Sequence, residues 1–330
     1  MSKKWWLVFA ASGVLALGVA ACGDDDDDDG GGGGGEDVSG TIRIDGSSTV
    51  APLTEAIAEG FNEENPDVNV TVGTSGTGGG FEKFCAGETD ANDASEAIGE
   101  EEIAACQQGG VEYEELQVAN DALTVVANPE NPVTCLTVDQ LKSVWEPKSQ
   151  INSWSQIEGL DPPYDETLDL YGPGSDSGTF GYFTDAINGE EDAIRTDYND
   201  VGEDDNATVT GVAGAPGGMG YFGFSFFSEN EGQLKALEID DGSGTCVAPS
   251  VETVQDGSYT PLARPLFLYP SAEALQRPEV DAFLEYYLAN VNDVAEQVGY
   301  IGLTDEQLSE SESKLQSLIG GGGGGAETTG

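Results

Sequence analysis

The chain has 330 residues, of which 62 are acidic, 11 are basic and none is histidine, so its formal net charge is -51. The absence of histidine excludes an imidazole base and a histidine metal ligand, and a surface this acidic repels nucleic acid and anionic lipid. The hydrophobic fraction of 38% suffices for one large core or two modest ones, and acid spread along the chain is typical of a solvated surface adapted to high salt.

The first residues have the pattern of an export signal. Two lysines precede an apolar run that ends near Ala21 and is short for a membrane span. We therefore predict a cleaved signal peptide at 1–21. The segment VAAC at 19–22 looks like the lipobox of bacterial lipoproteins, which predicts that Cys22 becomes the lipidated first residue. A plain secretory signal with an incidental cysteine is the alternative.

Segments rich in glycine and poor in apolar residues follow the signal and end the chain. Runs of aspartate and glycine dominate 22–39, which predicts a flexible tether that holds a domain off a membrane. Six glycines and AETTG form 320–330, which we predict to be a disordered tail.

Four cysteines remain once Cys22 is set aside, an even number in a chain with an export signal. Disulfides are therefore expected rather than free thiols. Four cysteines allow three connectivities, and the sequence does not itself choose between them. Because Cys85 and Cys106 lie close in the chain, whereas Cys135 and Cys246 bracket a longer segment, we favour the pairs Cys85–Cys106 and Cys135–Cys246.

From residue 41 onward, short β-rich runs are followed by helical runs, which predicts an α/β fold. One joint occurs three times: a strand, a loop of glycine and hydroxyl residues, and the start of a helix. In the first joint, Pro52 suits the first helical turn, and Ser48 or Thr49 is expected to cap the helix. The three predicted strands are TIRID (41–45), VNVTV (68–72) and TLDLY (167–171).

The repeated joint predicts an anion site. The first turn of a helix has unpaired N–H donors and a partial charge of about +0.5, so three helix starts aimed at one point supply about +1.5, enough for a phosphate-like dianion. A nucleotide P-loop lacks its Gly-Lys-Ser/Thr ending here, and SDSGTF has no base for a serine nucleophile. The acidic segments 203–208 and 240–245 do not match the spacing of a calcium loop and are expected to be solvated turns.

Six strings cover most of the chain from about 40 to 318: DGSSTVAPLTEAIAEGF, TVGTSGTGGGFEKFCAGETDANDAS, LYGPGSDSGTFGYFTDAI, GGMGYFGFSFF, RPLFLYPS and VGYIGLTDEQL. In this order they resemble the phosphate-binding component of the bacterial high-affinity phosphate ABC transporter. The resemblance implies a two-lobed periplasmic-binding-protein fold of type II, in which each lobe is a mixed β-sheet flanked by helices and two strands form the hinge.

The resemblance also implies how the chain divides between the lobes. Lobe 1 would comprise 40–122 and 266–319, and lobe 2 would comprise 123–265. The crossings between the lobes are expected in DALTVVA (121–127) and LARPLFL (262–268).

The function implied by the resemblance is that of an extracytoplasmic solute-binding protein, lipid-anchored to the cell membrane. It would capture inorganic phosphate as a monomer and deliver it to the membrane permease of an ABC transporter, with no reaction catalysed and no cofactor or metal. Another oxyanion, such as sulfate or molybdate, is the alternative within this class. A secreted phosphate-handling enzyme and a purely structural surface protein are the alternatives from other classes.

The ligand contacts implied by the resemblance lie on the three loops. The first loop would use the backbone near Val50 besides its side chains, and the choice between Ser75 and Thr77 as the contacting hydroxyl stays open. The implied contacts are Ser48, Thr49 and Val50 on the first loop, Ser75, Thr77 and Gly78 on the second, and Ser175, Ser177, Gly178 and Thr179 on the third.

Glu96 departs from the pattern of many relatives, which place an arginine at its position, whereas others place an aspartate. An arginine there would bind an anion through two hydrogen bonds, which a glutamate cannot donate. Either Glu96 accepts a proton of monohydrogen or dihydrogen phosphate, or it has turned away and the site is altered. We predict the first.

The acidic composition predicts that stability depends on salt. Unscreened carboxylates repel one another and destabilise the compact state, so the melting temperature should rise from low to molar potassium chloride. Thermal unfolding followed by circular dichroism measures it. A flat response would mean that the charges are already compensated and would contradict the adaptation to high salt.

Overall fold

The computed structural model describes residues 38–319. The predicted signal peptide 1–21, Cys22, most of the tether 22–39 and the tail 320–330 lie outside the described residues, so those assignments stay predictions. Within the described part, no helix is both long enough and apolar enough to cross a membrane.

Strands and helices alternate along most of the described chain. The strands are β1 (Gly40–Gly46), β2 (Val68–Val72), β3 (Ala91–Ala94), β4 (Leu116–Ala127), β5 (Cys135–Thr137), β6 (Asp169–Gly172), β7 (Asn199–Asp200), β8 (Gly218–Gly223), β9 (Lys235–Ala236), β10 (Glu238–Asp240) and β11 (Ala263–Pro270). The α-helices are α1 (Ala51–Glu64), α2 (Thr77–Cys85), α3 (Glu100–Gly109), α4 (Val138–Trp145), α5 (Gly178–Phe183), α6 (Asp205–Gly214), α7 (Phe224–Asn230), α8 (Val251–Gln255), α9 (Pro278–Gln297) and α10 (Asp305–Ile319).

A nine-stranded mixed sheet connects the described strands in the order β2-β1-β3-β11-β4-β8-β6-β7, with β9 also paired to β4. Strand β4 joins the two halves of the sheet because it is 12 residues long. Its first part pairs with β11 and its second part with β8, both antiparallel. A separate two-stranded sheet contains β5 and β10. The predicted α/β fold is confirmed.

Two large apolar cores lie on either side of this shared strand. One contains Phe61, Phe283 and Tyr287 with strands β1 and β2, and we call this half lobe 1. The other contains Trp145 and Tyr221 with strands β6 and β8, and we call it lobe 2. Because β4 and β11 run through both halves, the described residues nevertheless lie within one compact unit. The predicted lobe boundaries at 122/123 and 265/266 stay a prediction.

Both favoured disulfides are present in the structure. Cys85–Cys106 links α2 to α3 and is buried in a small aromatic cluster with Phe84. Cys135–Cys246 closes a much longer loop, with a sequence separation of 111 against 21 for the first bond.

The predicted joints are present, with two differences. Strands β1 and β2 contain the predicted runs, whereas β6 starts at Asp169, two residues late. The predicted cap of α1 by Ser48 or Thr49 was wrong, because the N-cap is Val50 and makes no side-chain cap bond. The Ser47 side chain accepts from the Thr49 N–H and the Ser47 carbonyl from the N–H at the start of α1, so a turn at 47–50 leads into the helix.

Gly80 allows α2 to pack closely on the sheet. A Cβ atom at this position would lie 2.0 Å from Oδ1 of the buried Asn92 and 2.5 Å from Cα of Gly46. At Gly78, two residues earlier in the same helix, a Cβ atom would meet nothing within 4 Å. In the glycine run 78–80, Gly80 is therefore required for packing on the sheet, whereas Gly78 has open space beside it.

These two glycines form a matched pair for a stability measurement. Gly80→Ala should lower the free energy of unfolding by about 1–3 kcal/mol, because the added methyl group overpacks a buried contact. Gly78→Ala should leave it unchanged or raise it by up to about 1 kcal/mol, since alanine favours a helix over glycine. Urea denaturation measures both, and equal values for the two variants would contradict the packing argument.

Candidate functional site

A cavity of about 400 Å³ opens where the first and second joints meet α5. Strands β2, β1 and β3 are parallel neighbours, so their carboxyl ends lie at the same edge of the sheet. Open α/β sheets bind ligands beyond this edge. Lobe 2 contributes α5 and the residues after it, and β11 contributes one side chain to the cavity wall.

Most of the predicted ligand residues lie in the wall of this cavity. Those that do are Ser48, Thr49, Ser75, Thr77, Gly78, Glu96 and Gly178. Val50 is fully buried in the core of lobe 1 and does not line the cavity, so its backbone contact to a ligand stays a prediction. Ser175, Ser177 and Thr179 precede or begin α5 but do not line the cavity, so their role as contacts stays a prediction.

Hydrogen bonds hold both the side chain and the backbone carbonyl of Thr49. Its Oγ1 accepts a hydrogen bond from Nη2 of Arg264 at 3.0 Å, and its carbonyl oxygen accepts one from the Tyr300 hydroxyl at 2.5 Å. A hydroxyl that accepts from a cation still has its own proton to donate. Thr49 can therefore donate to a ligand oxygen from a fixed position.

The second loop distinguishes between its two hydroxyls. Ser75 donates its side-chain proton to Oδ1 of Asp45 at 2.5 Å, so this proton is already used. Thr77 instead accepts from the N–H of Ser95 at 3.2 Å and shares a second hydrogen bond of 3.2 Å with the Ser95 hydroxyl, in which either group can donate, so its proton is not committed to a carboxylate. Burial would raise the pKa of Asp45, but hydrogen bonds from Lys83, Ser75 and the backbone outweigh it and hold that pKa at about 2. The ionised Asp45 is thus a fixed acceptor, which favours Thr77 as the donor to a ligand.

Arg264 on β11 brings a cation into the wall. Its Nε donates to Oδ2 of Asp121 on β4 at 3.1 Å, and its guanidinium lies over the ring of Tyr182, 3.7 Å from the centroid. Together with the bond to Thr49, these contacts use two of the five N–H donors of an arginine. The remaining donors suit an oxyanion, which a planar guanidinium can bind through two hydrogen bonds.

Sequence reasoning missed Arg264 because the run LARPLFL was interpreted only as a hinge crossing. A single charge inside an apolar strand was the signal that could have found it. It also missed eight other wall residues that lie beside the predicted ones or on the α5 side of the cavity. They are Ser47, Gly76, Gly79, Ser95, Gly181, Tyr182, Asp185 and Glu191.

Glu96 lies in the wall, on a segment that neighbouring residues fix. The N–H of Ile98 donates to the Tyr269 hydroxyl at 2.9 Å, and that hydroxyl donates to Glu115 at 2.5 Å. Asp185 and Glu191 are the other acidic residues of the wall. Among the residues that the structure describes, the cavity thus combines three carboxylates with one guanidinium. Such a wall can both donate to an oxyanion and accept a proton from it.

The mixed α/β fold, with a polar cavity between two halves that share crossing strands, is that of the two-lobed periplasmic-type binding proteins. Residues 32–291 match the PBP superfamily domain, and the chain belongs to that superfamily. The family resemblance seen in the sequence is confirmed.

Named relatives extend over most of the chain. Protein SphX of Synechococcus elongatus is 43% identical over 278 residues, which cover 84% of this chain and 81% of the relative. The phosphate-binding protein PstS of Staphylococcus saprophyticus is 36% identical over 320 residues, which cover 96% of each. The crystal structure of a possible phosphate binding protein from Planctomyces limnophilus has a TM-score of 0.81 and 43% identity, and covers 86% of this chain and 99% of that one.

A buried carboxyl group lies directly behind the first loop. Asp93 on β3 is fully buried, its carbonyl accepts from the N–H of Ser47 at 2.8 Å, and its Oδ1 accepts from the Thr54 hydroxyl at 2.9 Å. Burial raises the pKa of Asp93 to about 8; the bond from Thr54 opposes this rise, and the charges of Asp45 and Glu55 add to it.

The raised pKa predicts a pH dependence that Asp93→Asn should remove. Below pH 3.8 the carboxyl is protonated in both states, whereas between pH 3.8 and about 8 only the unfolded state loses the proton. The contribution of Asp93 to the free energy of unfolding is therefore largest below pH 3.8. It decreases by about 1.4 kcal/mol per pH unit as the pH rises from 3.8 to about 8. Relative to wild type, Asp93→Asn should gain stability from pH 5 to pH 8.

Urea denaturation at pH 5, 6.5 and 8 measures this difference. Asp67→Asn, at an exposed position after α1, is the control and should follow wild type at each pH. A constant difference between Asp93→Asn and wild type would show that Asp93 titrates alike in both states.

Proposed function

We propose that this chain captures inorganic phosphate outside the cytoplasm and delivers it to the permease of an ABC transporter, without catalysing a reaction. The observation that carries the proposal is the meeting of hydroxyl donors from two loops with Arg264 at one cavity. The names of the relatives in Staphylococcus and Planctomyces support it. We further propose that the protein is a monomer, anchored to the cell membrane by lipid on Cys22.

The donors of the wall are sufficient for tight binding. Thr49 and Arg264 each keep at least one proton for a ligand, Thr77 can donate its own when the Ser95 hydroxyl donates to it, and the first turn of α2 adds backbone N–H groups. A hydrogen bond to a charged group contributes about 1.5–3 kcal/mol, and micromolar affinity requires about 8 kcal/mol. Four such bonds supply about 6–12 kcal/mol before the cost of association, so micromolar affinity requires additional bonds, which the loop N–H groups can donate.

The carboxylates of the wall favour phosphate over other oxyanions. Near neutral pH phosphate carries one or two protons, and Glu96 can accept one of them. Sulfate carries none, so its approach to Glu96 leaves two like charges without a proton between them. Sulfate and molybdate are thus the weaker candidates for this site.

Calorimetric titration of the purified protein with phosphate, sulfate and molybdate at pH 7 tests the proposal. Phosphate should bind with one site per chain and a dissociation constant in the micromolar range or below. Tighter binding of sulfate or molybdate than of phosphate, or no phosphate binding at all, would overturn it.

Replacing Glu96 tests its role as the proton acceptor. Glu96→Gln should raise the affinity for sulfate relative to phosphate by at least tenfold, because an amide can donate to sulfate and carries no charge. The measurement is the ratio of the two dissociation constants by calorimetry. Glu101→Gln, on the exposed side of α3, is the matched control and should keep the wild-type ratio. An unchanged ratio in Glu96→Gln would remove Glu96 from the selection.

A further inference from the structure

Arg264 lies where the chain crosses between the lobes. Two residues along β11, Leu266 is fully buried in the core of lobe 1, whereas Ala263 packs against the core of lobe 2. In the same register, Arg264 pairs with Asp121 of β4, the other crossing strand. The side chain of Arg264 therefore projects from the hinge itself and not from either lobe.

From this position Arg264 contacts one group from each lobe. Its Nη2 donates to Thr49 on the first loop of lobe 1, and its guanidinium carbon lies 3.7 Å from the ring centroid of Tyr182 on α5 of lobe 2. Gly178, at the start of α5, approaches Thr49 so closely that a Cβ atom there would lie 4.0 Å from Oγ1 of Thr49. The two lobes therefore approach each other beside the residues that Arg264 contacts.

A second hinge segment holds the same threonine. Tyr300 donates to the carbonyl of Thr49, and the next residue, Ile301, pairs through its backbone with Asn120 of β4 and packs in the core of lobe 2. Ser225 of lobe 2 donates to the carbonyl of Gly299. Thr49 is therefore fixed by two hinge residues, so its position follows the relative placement of the lobes.

We propose that Arg264 couples anion binding to closure of the lobes. This inference rests on the proposed phosphate binding and assigns the residue through which it acts. A ligand shifts a conformational equilibrium only by its difference in affinity for the two conformations. An anion can contact the free N–H groups of Arg264 and the Thr49 hydroxyl together only in the conformation in which Thr49, Arg264 and Tyr182 lie side by side. The anion therefore binds this conformation more tightly, and this difference in affinity drives closure.

The shape of the side chain is as important as its charge. A guanidinium is planar, can stack on an aromatic ring and can donate along several edges at once, whereas an ammonium is a compact point charge. Arg264→Lys therefore keeps the charge but cannot contact Asp121, Thr49 and the ring of Tyr182 at the same time. Arg277→Lys is the matched control, because Arg277 also pairs with an aspartate, Asp90, but lies outside the ligand cavity.

The experiment combines calorimetry with small-angle X-ray scattering, with and without saturating phosphate. Wild type and Arg277→Lys should bind phosphate and decrease in radius of gyration. Arg264→Lys should bind at least tenfold more weakly and, once saturated, keep the radius of its phosphate-free form. Compaction of saturated Arg264→Lys to the wild-type value would overturn the coupling, whereas absence of phosphate binding by wild type would overturn the proposed function together with this inference.

A pair of variants at Tyr182 decides the case in which Arg264→Lys loses all binding. Tyr182→Leu removes the ring under the guanidinium but leaves its donors, and Tyr182→Phe keeps the ring. Phosphate should bind to both, but only Tyr182→Phe should compact like wild type. Equal compaction of the two variants, or compaction of neither, would overturn the coupling.

Discussion

The ion pair between Arg264 and Asp121 is the interaction on which the site depends, because it joins the two crossing strands at the lobe boundary. Both side chains are largely removed from solvent, and burial raises the pKa of Asp121 although Arg264 lowers it. A partly buried pair of this kind contributes little net stability, but removing one partner leaves a charge uncompensated. The pair therefore fixes a geometry more than it stabilises the fold, and the geometry that it fixes is a cation directed at Thr49.

An acidic chain can bind an anion here because the relevant charges act at contact distance. Carboxylates exposed to solvent are screened beyond about 8–10 Å at ordinary ionic strength, whereas a guanidinium and loop N–H groups in the cavity wall would act on a bound anion at contact distance. Asp45 illustrates the local balance. Nζ of Lys83 lies 2.5 Å from Oδ2 of Asp45 and compensates its charge. The other carboxylate oxygen, Oδ1, accepts from the Ser75 hydroxyl and orients that side chain. The nearby carboxylate thus organises the second loop and is not an isolated charge facing the ligand.

The parts of the site that a sequence can predict are those encoded by neighbours in the chain. The joints after β1 and β2 follow from a strand, a small-residue loop and a helix that are neighbours in the chain. Strand β2 has the predicted bounds, and β1 extends the predicted run by one residue at each end. Arg264 could not be placed in this way, because its contacts to Thr49 and Asp121 span 215 and 143 residues. The pairing of β4 with β11 brings Arg264 to Asp121, and the place of β1 in the same sheet brings the first loop to Arg264, so both contacts are properties of the whole sheet.

The same limit explains the error at the start of α1. A serine or threonine before a helix with proline in its first turn predicts a side-chain cap, yet the carbonyl of Asp93 binds the N–H of Ser47 and draws the loop onto β3. The Ser47 oxygens then accept from the N–H groups of Thr49 and Ala51, and residues 47–50 form a turn whose hydroxyls do not cap the helix. Thr49 thereby keeps its side chain for Arg264. The contact between Asp93 and Ser47, which are remote in sequence, thus overrides the local preference for a side-chain cap. As a result, the Thr49 side chain does not cap the helix and lies in the cavity wall.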